Sequence, residues 1–344
     1  MTRSVCVVGA GAAGVAATYA LRDARAEVTV LEKSRGVCGR AATRRRDGRR
    51  YDHGASHLPV ADERVAAFVD EFGADGLIDI EAPVWTVDET GAVNETDSDP
   101  TRRVAWESGM TQLAKRALAA TEAAVERETR VMAMDRDERG WRLTDDDGGS
   151  HGPFDVLLLT PPAPQTASLL AATGWASERA IRLREAVGSV EYDGAHSVIL
   201  GYDRPLDREW FGLRAATEDG SLQWIGRESV KAGHIPDSGE ILVVQMGDAW
   251  ARAHEGEFES ESEAIADEVA ALVADRLNEP WLLSTGPSHP DALDASKERV
   301  GSFLTRNDLA FSSILCNEAL VSPTVGNVCT RAVRFTHRLD VQCV

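Results

Sequence analysis

Three glycines and one acid near the start of the chain have the types and the spacing that bind a dinucleotide. Gly9, Gly11 and Gly14 follow the pattern G-x-G-x-x-G, and Glu32 comes at about the 20-residue distance at which an acid can bind ribose hydroxyls. In such a pattern the first glycine permits a tight turn, the second lets the backbone approach a pyrophosphate, and the third lets a helix pack closely on a strand. The pattern predicts dinucleotide binding, and the alternative is a glycine turn without a ligand.

The residues around these glycines predict the strand–turn–helix–strand unit that must position them. The run "SVCVVG" is short, apolar and β-branched, which is typical of a buried parallel strand. The next segment, "VAATYALRDA", has helical composition, and "EVTVLEK" predicts a second strand that ends at Glu32. The helix would offer free N–H groups and a partial positive charge to phosphates. This unit alone does not distinguish FAD from NAD.

The segment after Glu32 reads "KSRGVCGRAATRR", and "YDHGASHL" follows it. It resembles the second phosphate-binding motif of FAD-dependent amine oxidases. It is most similar to the renalase family, whose members carry a "GGRMAT"-like segment and then a "D-x-G-A" segment. The matching residues are Gly39, Arg40, Ala41, Thr43, Asp52, Gly54 and Ala55. Cys38 stands where the family has the first glycine of the pair, and the resemblance extends over about residues 1–280.

The resemblance implies a role in FAD binding for residues along the first half of the chain. Arg40 would contact the phosphates, for which a guanidinium offers forked donors. Ser56 and His57 would lie beside the flavin, and Val131 beside the adenine. The complete predicted set is Gly9, Gly11, Ala13, Gly14, Glu32, Lys33, Gly39, Arg40, Ala41, Thr43, Gly54, Ala55, Ser56, His57, Val131, Thr160 and Pro161. No catalytic residue is assigned, and no metal site is predicted because His53 and His57 have no evident third ligand.

The resemblance implies an α/β fold with two discontinuous domains. A Rossmann-type FAD-binding domain with a β-meander would comprise residues 1–58, 105–162 and 285–344, and an α+β substrate domain with a mixed or antiparallel sheet would comprise residues 59–104 and 163–284. The run "SESEAIADEVAALVADRL" predicts an amphipathic helix in the second domain. The tryptophans of this domain either line a substrate pocket or pack in its core, and they include Trp210, Trp224 and Trp250.

The end of the chain departs from the family pattern. Renalases end in a third cofactor segment, in which a strand leads into a Gly-Asp turn and a helix. The segment "GNVCTRAVRFTHRLDVQCV" contains no Gly-Asp pair. One hypothesis is a diverged terminus that binds FAD differently. The other, which we favour, is a disrupted reading frame that leaves the flavin site incomplete.

The predicted function is that of an FAD-dependent oxidoreductase. Resemblance to renalases implies that a small substrate, a dihydronicotinamide isomer or an amine, passes a hydride to the flavin. Molecular oxygen would then reoxidise the flavin, with release of peroxide. One alternative is an NAD-dependent dehydrogenase that uses the first motif alone. Another is a noncatalytic protein with an incomplete flavin site.

Composition and charge argue against several classes of protein. The net charge is −19, and the only lysines are Lys33, Lys115, Lys231 and Lys297. Such an acidic chain argues against nucleic-acid binding and favours either a halophilic source or an ordinary acidic surface. No apolar run approaches the ~20 residues of a membrane span. The start of the chain lacks the charged leader and cleavage site of a signal peptide, so the expected location is the cytoplasm.

The arginines between Arg44 and Arg50 have no predicted role in the cofactor site. They form either a solvated turn around "RDGRR" or an electropositive rim that steers an anionic substrate. The five cysteines include no C-x-x-C pair, so neither a disulfide framework nor a cysteine zinc site is predicted.

Overall fold

The computed structural model describes most of the chain up to Leu283. The described residues are 2–73, 75–97, 99–175, 177–190, 193–216, 221–236, 239–254, 262–283, 302–304 and 342–343. Most of residues 285–344, where the family pattern breaks, therefore lies outside the described residues. Internal contacts divide the chain into two units: unit 1 comprises Met1–Gly39, Leu113–Tyr192 and Thr305–Val344, and unit 2 comprises Arg40–Gln112 and Asp193–Leu304. The domain bounds inferred from the sequence remain a prediction.

The described residues form strands, α-helices and short 3₁₀ turns. The strands are β1 (Arg3–Val8), β2 (Ala26–Glu32), β3 (Thr43–Arg46), β4 (Arg49–Asp52), β5 (Leu58–Pro59), β6 (Leu77–Asp79), β7 (Val84–Asp88), β8 (Val93–Asn94), β9 (Arg103–Trp106), β10 (Ala124–Arg127), β11 (Val131–Asp137), β12 (Gly140–Asp145), β13 (Ser150–Phe154), β14 (Val156–Leu159), β15 (Asp193–Tyr202), β16 (Gly212–Ala216), β17 (Leu222–Arg227), β18 (Glu240–Met246), β19 (Ser302–Leu304) and β20 (Gln342–Cys343). The helices are α1 (Ala12–Ala20), α2 (Glu63–Phe72), α3 (Thr111–Ala119), α4 (Ala163–Ala171), α5 (Glu178–Gly188), α6 (Asp248–Ala253) and α7 (Ser262–Leu277). Among these described helices, none combines the length and the apolar character needed to cross a membrane.

Unit 1 is built on a sheet in which the strands follow the order β10-β2-β1-β14-β20. The first four of these are parallel, as the β-branched run of β1 predicts, and β20 is antiparallel to β14. Cys6, Val8 and Leu31 of this sheet pack with Trp141 and Leu143 of an antiparallel meander, β11-β12-β13. The predicted Rossmann-type fold with a β-meander is confirmed.

Unit 2 contains a seven-stranded sheet in the order β19-β15-β18-β17-β16-β7-β8. Most neighbours are antiparallel, but β16 and β7 are parallel, so the sheet is mixed, as predicted. Leu213, Ile225 and Val244 of this sheet form a core with Val269 and Val273 of α7, and all five are fully buried. Because successive side chains of a strand alternate, the residues between them belong to the opposite face of the sheet.

The arginines between Arg44 and Arg50 lie in a strand hairpin, β3–β4, rather than in one long turn. Arg46 pairs with Arg49, and the two residues between them, Asp47 and Gly48, have φ of 49° and 76°. Two successive positive φ values are typical of a type I′ hairpin turn, which explains the "DG" at this position. The side chains of residues 44–46 are exposed, as expected for a solvated segment.

Candidate functional site

The glycine turn of unit 1 contains a glycine that no side chain can replace without a clash. An ideal Cβ at Gly14 would lie 1.9 Å from the carbonyl oxygen of Gly9, so α1 packs on the turn only with glycine at this position. Gly9 has a φ of +100°, which L side chains rarely adopt. The hydroxyl of Thr160 donates to the carbonyl of Val8 at 2.8 Å. Thr160 therefore joins the end of β14 to the turn.

Gly11 differs from these residues because the space beside it is open. No heavy atom of the described residues lies within 4 Å of an ideal Cβ at Gly11. Gly11 is the N-cap of α1, and no side chain caps the helix there. An uncapped helix N-terminus beside open space is the environment that binds a pyrophosphate. The predicted residues Gly11, Ala13 and Gly14 therefore fit the phosphates of a dinucleotide.

The carboxylate of Glu32 has a structural role that sequence reasoning did not assign to it. One oxygen accepts a hydrogen bond from the amide of Ala10 at 2.6 Å, and the other accepts from the amide of Ser34 at 2.8 Å. The side chain is buried, and it ties the glycine turn to the segment after β2. Each oxygen has a second lone pair, which leaves the predicted ribose contact available. The next residue, Lys33, is exposed, and its Nζ lies 3.5 Å from Gln165 Oε1.

Cys38 has a backbone conformation that is usually found at glycine, which is the residue that the family pattern has at this position. Its φ is +85°, its side chain is fully buried, and its amide donates to the carbonyl of Ala10 at 2.8 Å. A left-handed conformation costs a residue other than glycine roughly 1–2 kcal/mol. Gly39 follows with a φ of +54°, and an ideal Cβ there would lie 3.2 Å from the Cα of Gly11. The part of the second motif that belongs to unit 1 therefore lies against the glycine turn.

Arg40 begins the part of the second motif that belongs to unit 2. Its side chain is exposed, and its carbonyl accepts a hydrogen bond from the amide of Ala55 at 3.2 Å. An ideal Cβ at Gly54 would lie 1.9 Å from the same carbonyl oxygen, so this contact requires glycine. Ala41 is partly buried. The structure thus brings together the two segments that carry the resemblance, "GRAAT" and "DHGAS".

The polar groups of Thr43 form hydrogen bonds within unit 2. Its hydroxyl donates to Asp52 Oδ1 at 2.6 Å, and its amide donates to Thr111 Oγ1 at 2.7 Å. The amide of Met110 donates to the same oxygen of Asp52 at 2.9 Å. These bonds give Thr43 a structural role, and its contact with a cofactor remains a prediction.

A buried cluster of charged side chains in unit 2 was missed by sequence reasoning. We call it the Lys231 cluster, and its members are Asp52, Glu228, Lys231 and His234. The ammonium of Lys231 lies 2.8 Å from Asp52 Oδ2 and 2.8 Å from Glu228 Oε1. His234 Nδ1 lies 2.7 Å from Glu228 Oε2, and its Nε2 lies 3.0 Å from the carbonyl of Trp106. The sequence gives one hint of this cluster, because the segment "RESVKAGH" contains Lys231, one of the few lysines of the chain.

Opposite charges keep Asp52 and Lys231 of this cluster ionised. Burial alone would raise the pKa of Asp52, but the charges of Lys231 and His234 lower it below its ordinary value. Burial alone would lower the pKa of Lys231, but the charges of Asp52 and Glu228 raise it above its ordinary value. Ligand atoms of Asp52, Glu228 and His234 lie within 4.8 Å of one another. Because Lys231 binds both carboxylates, its ammonium supplies the positive charge that a metal ion would bring to this group.

His57 lies among aromatic rings in unit 2. Its ring centroid is 5.5 Å from that of Phe211 and 6.3 Å from that of Trp224, and its Nδ1 lies 3.0 Å from Ser56 Oγ. Burial first, and neighbouring positive charges second, lower the pKa of His57 to about 3. The imidazole is therefore neutral at neutral pH. Its predicted position beside a flavin, like that of Ser56, remains a prediction.

The tryptophans singled out in the sequence divide between the two expected roles. Trp210 and Trp250 pack in the core of unit 2. Trp224 instead lies with His57, on the face of the sheet opposite to that core. Of these three tryptophans, Trp224 alone therefore lies outside this core, and its contact with a substrate remains a prediction.

The last two predicted residues lie in unit 1. Val131 begins β11 and is buried in the core of the unit. Pro161 follows β14, and its carbonyl accepts a hydrogen bond from the hydroxyl of Thr166 at 2.8 Å. The contacts of both residues with a cofactor remain predictions.

A short segment of the chain is similar to L-amino-acid oxidases, and its fold is similar to that of two solved structures. The L-amino-acid oxidase of Sistrurus catenatus edwardsii is 38% identical over 71 residues, and the L-amino acid oxidase bordonein-L of Crotalus durissus terrificus is 39% identical over 71 residues. These matches cover 21% of this chain and only 14% of each relative. A putrescine oxidase bound to putrescine has a TM-score of 0.64 at 16% identity, over 83% of each chain. An oxidoreductase from Methanosarcina mazei has a TM-score of 0.61 at 14% identity, over 80% of this chain and 84% of its own.

These solved structures show the fold alone, whereas the family profiles show the family. Residues 7–72 match the profile of the NAD(P)-binding Rossmann-like domain. Residues 94–280, more than half of the chain, match the profile described as flavin containing amine oxidoreductase. The protein therefore belongs to the flavin containing amine oxidoreductase family, and its cofactor is a flavin.

Proposed function

We propose that the protein is a renalase-like oxidase, which oxidises a dihydronicotinamide isomer or an amine and passes the electrons to oxygen. The observation that carries the proposal is the open space beside Gly11 at the uncapped start of α1, which fits the pyrophosphate of FAD. The segments "GRAAT" and "DHGAS", which resemble renalases, support the choice of subfamily. The match covers only 14% of the curated L-amino-acid oxidase, so it does not support assigning that enzyme's substrate to this protein.

The residues assigned to the flavin have distinct tasks. In unit 1, the amides at the start of α1 would bind the pyrophosphate, and Glu32 would accept hydrogen bonds from a ribose. In unit 2, the exposed guanidinium of Arg40 would add a cation for the phosphates. When bound, the flavin would supply two-electron redox chemistry, in which a hydride is taken from the substrate and the electrons pass to molecular oxygen with release of hydrogen peroxide.

His57 would face the substrate as a neutral group. Its pKa of about 3 means that the imidazole can exchange hydrogen bonds without adding a charge. The hydroxyl of Ser56, 3.0 Å from Nδ1, fixes the orientation of the ring. Hydride transfer from an activated donor needs no acid or base from the protein, so we assign His57 to orientation and not to proton transfer.

The visible spectrum of the purified protein tests the proposal. We expect flavin absorption bands that bleach when a dihydronicotinamide isomer is added without oxygen and that recover in air, with one peroxide per substrate. If the flavin bleaches only with an amine, the protein is a flavin oxidase of this family but the renalase-like assignment is wrong. A colourless protein that FAD cannot reconstitute would reject the proposal altogether.

A matched pair of arginine variants tests the phosphate contact. Arg40→Gln should weaken FAD binding roughly 10- to 100-fold, the effect of one lost hydrogen bond to a charged group. Arg35→Gln is the control, because Arg35 is an exposed arginine of the same stretch with no assigned role. Equal FAD affinity in the two variants would contradict the role given to Arg40.

A further inference from the structure

One face of the seven-stranded sheet in unit 2 carries a row of polar side chains. Residues that pair directly on neighbouring strands share a face. The strand register therefore defines a row, here called the Arg214 row, across β7, β16, β17, β18 and β15. Its members in that order are Thr86, Arg214, Trp224, Gln245 and Ser197. Their neighbours along the strands pack in the core with α7, so the row lies on the opposite face.

Two glycines let the indole of Trp224 lie directly on this face. An ideal Cβ at Gly212 would lie 2.1 Å from the indole ring, and one at Gly226 would lie 2.5 Å from its Nε1. Trp224 is 3% exposed, and its Nε1 has no hydrogen-bond partner among the described residues. A buried donor without an acceptor costs free energy. This N–H group therefore indicates a ligand that brings an acceptor.

Arg214 supplies a positive charge beside Trp224. The charges of Arg103, Lys231 and Arg214 all act on His57, but the first two are each bound to a carboxylate, at 3.0 and 2.8 Å. Within the described part of the chain, Arg214 forms no ion pair, and its buried Nε lacks a hydrogen-bond partner. Its guanidinium is thus available to an anion from outside the described residues.

Gln245 places the His57 segment over the row. Its side-chain amide donates to the carbonyl of Gly54 at 2.8 Å. The ring of His57 then lies 6.3 Å from that of Trp224 and 5.5 Å from that of Phe211, measured between centroids. Rings at these distances and angles pack favourably on one another, so the three rings form an aromatic wall beside the row.

We propose that the Arg214 row binds a carboxylate on a planar ring, so that the substrate of this oxidase is a dihydro-heteroaromatic acid, whose ring passes a hydride to the flavin and leaves as the aromatic acid, and not a cationic amine. The guanidinium offers a carboxylate two parallel N–H donors, and the indole N–H of Trp224 offers a third. The rings of His57 and Phe211 cover the plane of the ligand. The inference rests on the proposed function only in treating the bound acid as the substrate.

Three probes with the same ring and different charge test the proposal: benzoate, benzamide and benzylammonium. We expect calorimetric titration of the flavin-loaded protein to give benzoate an affinity at least roughly 10-fold above that of benzamide, with benzylammonium the weakest, because hydrogen bonds to charged groups are worth more than neutral ones. Benzylammonium binding as tightly as benzoate, or no binding of benzoate, would overturn the proposal. Flavin content and peroxide release are measured separately, so a failed oxidase assay leaves the binding result interpretable.

Variants locate the binding to the row. Arg214→Gln should reduce benzoate affinity roughly 10- to 100-fold and leave benzamide affinity nearly unchanged. Trp224→Phe keeps a ring but removes the N–H donor, and it should produce a smaller loss. Arg252→Gln is the matched control, because Arg252 is exposed and its ion pair among the described residues is with Asp248 of its own helix. A benzoate affinity unchanged in Arg214→Gln, or lowered equally in Arg252→Gln, would reject the assignment.

Discussion

Replacing Gly11 and Gly14 by alanine separates the ligand-binding role of the glycine turn from its packing role. The methyl group of Gly11→Ala would meet no described atom within 4 Å, and the backbone of Gly11, with φ −69° and ψ 178°, suits any residue. The methyl group of Gly14→Ala would lie 1.9 Å from the carbonyl oxygen of Gly9, well inside van der Waals contact. The two substitutions therefore add the same methyl group to two very different surroundings at the start of α1.

The expected effects on folding differ because the two methyl groups meet different surroundings. For Gly11→Ala, the loss of a favourable N-cap residue and the reduced entropy of the unfolded chain nearly cancel, so the free energy of unfolding should change by less than about 1 kcal/mol. For Gly14→Ala, the helix or the turn must shift, and overpacking of this kind costs about 1–3 kcal/mol or more.

The open space beside Gly11 also determines the expected effect on flavin binding. In Gly11→Ala the methyl group occupies the site where the pyrophosphate would approach the backbone. Loss of one amide–phosphate hydrogen bond is worth about 1.5–3 kcal/mol, which raises the Kd for FAD roughly 10- to 150-fold. Denaturant unfolding of the flavin-free protein and fluorescence titration with FAD measure the two quantities. Gly36→Ala is the control, since Gly36 also has open space around it.

Either of two outcomes would refute this reasoning. If Gly11→Ala binds FAD as the wild-type protein does, the space beside Gly11 is not the phosphate site. If Gly11→Ala instead unfolds as easily as Gly14→Ala, then the open space is not open in solution.

Three further predictions follow from the buried polar residues. Cys38→Gly should leave the free energy of unfolding within about 1 kcal/mol of the wild type, because glycine readily adopts the φ of +85° at this position. Cys38→Val introduces a β-branched residue there and should lower the free energy of unfolding by more than about 2 kcal/mol. Equal denaturation midpoints for the two variants would contradict this prediction. Lys231→Met leaves two buried carboxylates without their cation and should cost about 3–5 kcal/mol in urea unfolding, against almost nothing for the exposed Lys33→Met. The pKa of His57 is lowered from 6.5 to about 3, so the unfolded chain binds the extra proton between these values and stability falls as the pH drops through this window. His57→Gln should flatten that dependence between pH 6.5 and 3, and an unchanged slope would count against a histidine that stays neutral in the folded protein.

Local patterns explain why much of unit 1 could be predicted from the sequence. The strand, turn and helix around Gly9 and Gly14 are set by steric requirements that act over a few residues. The family pattern has glycine at the position of Cys38, which predicts a positive φ there. Cys38 has this positive φ. The type I′ turn at Asp47 and Gly48 is encoded in the same way.

The parts of unit 2 that were missed depend on contacts between distant residues. Asp52 and Lys231 are 179 positions apart, and their pairing follows from the strand order and not from either local sequence. The Arg214 row is defined by register, because a slip of one residue would move Arg214 to the core face and Leu213 to the opposite face. No motif encodes such a register, which explains why Trp224 could not be separated from the core tryptophans before the structure.

The two parts of the predicted flavin site are therefore positioned by different physical means. In unit 1 the backbone is fixed by close approach, as between Gly14 and Gly9, which depends on neither pH nor salt. In unit 2 the segment from Gly54 to His57 begins two residues after Asp52, whose carboxylate is held by the Lys231 ammonium at 2.8 Å and by the Thr43 hydroxyl at 2.6 Å. These buried charges are shielded from salt more than surface pairs are, but they depend on protonation. Acid should therefore loosen the Gly54–His57 segment before it affects the glycine turn, and amide hydrogen exchange measured in the two segments as the pH falls distinguishes this order from simultaneous opening.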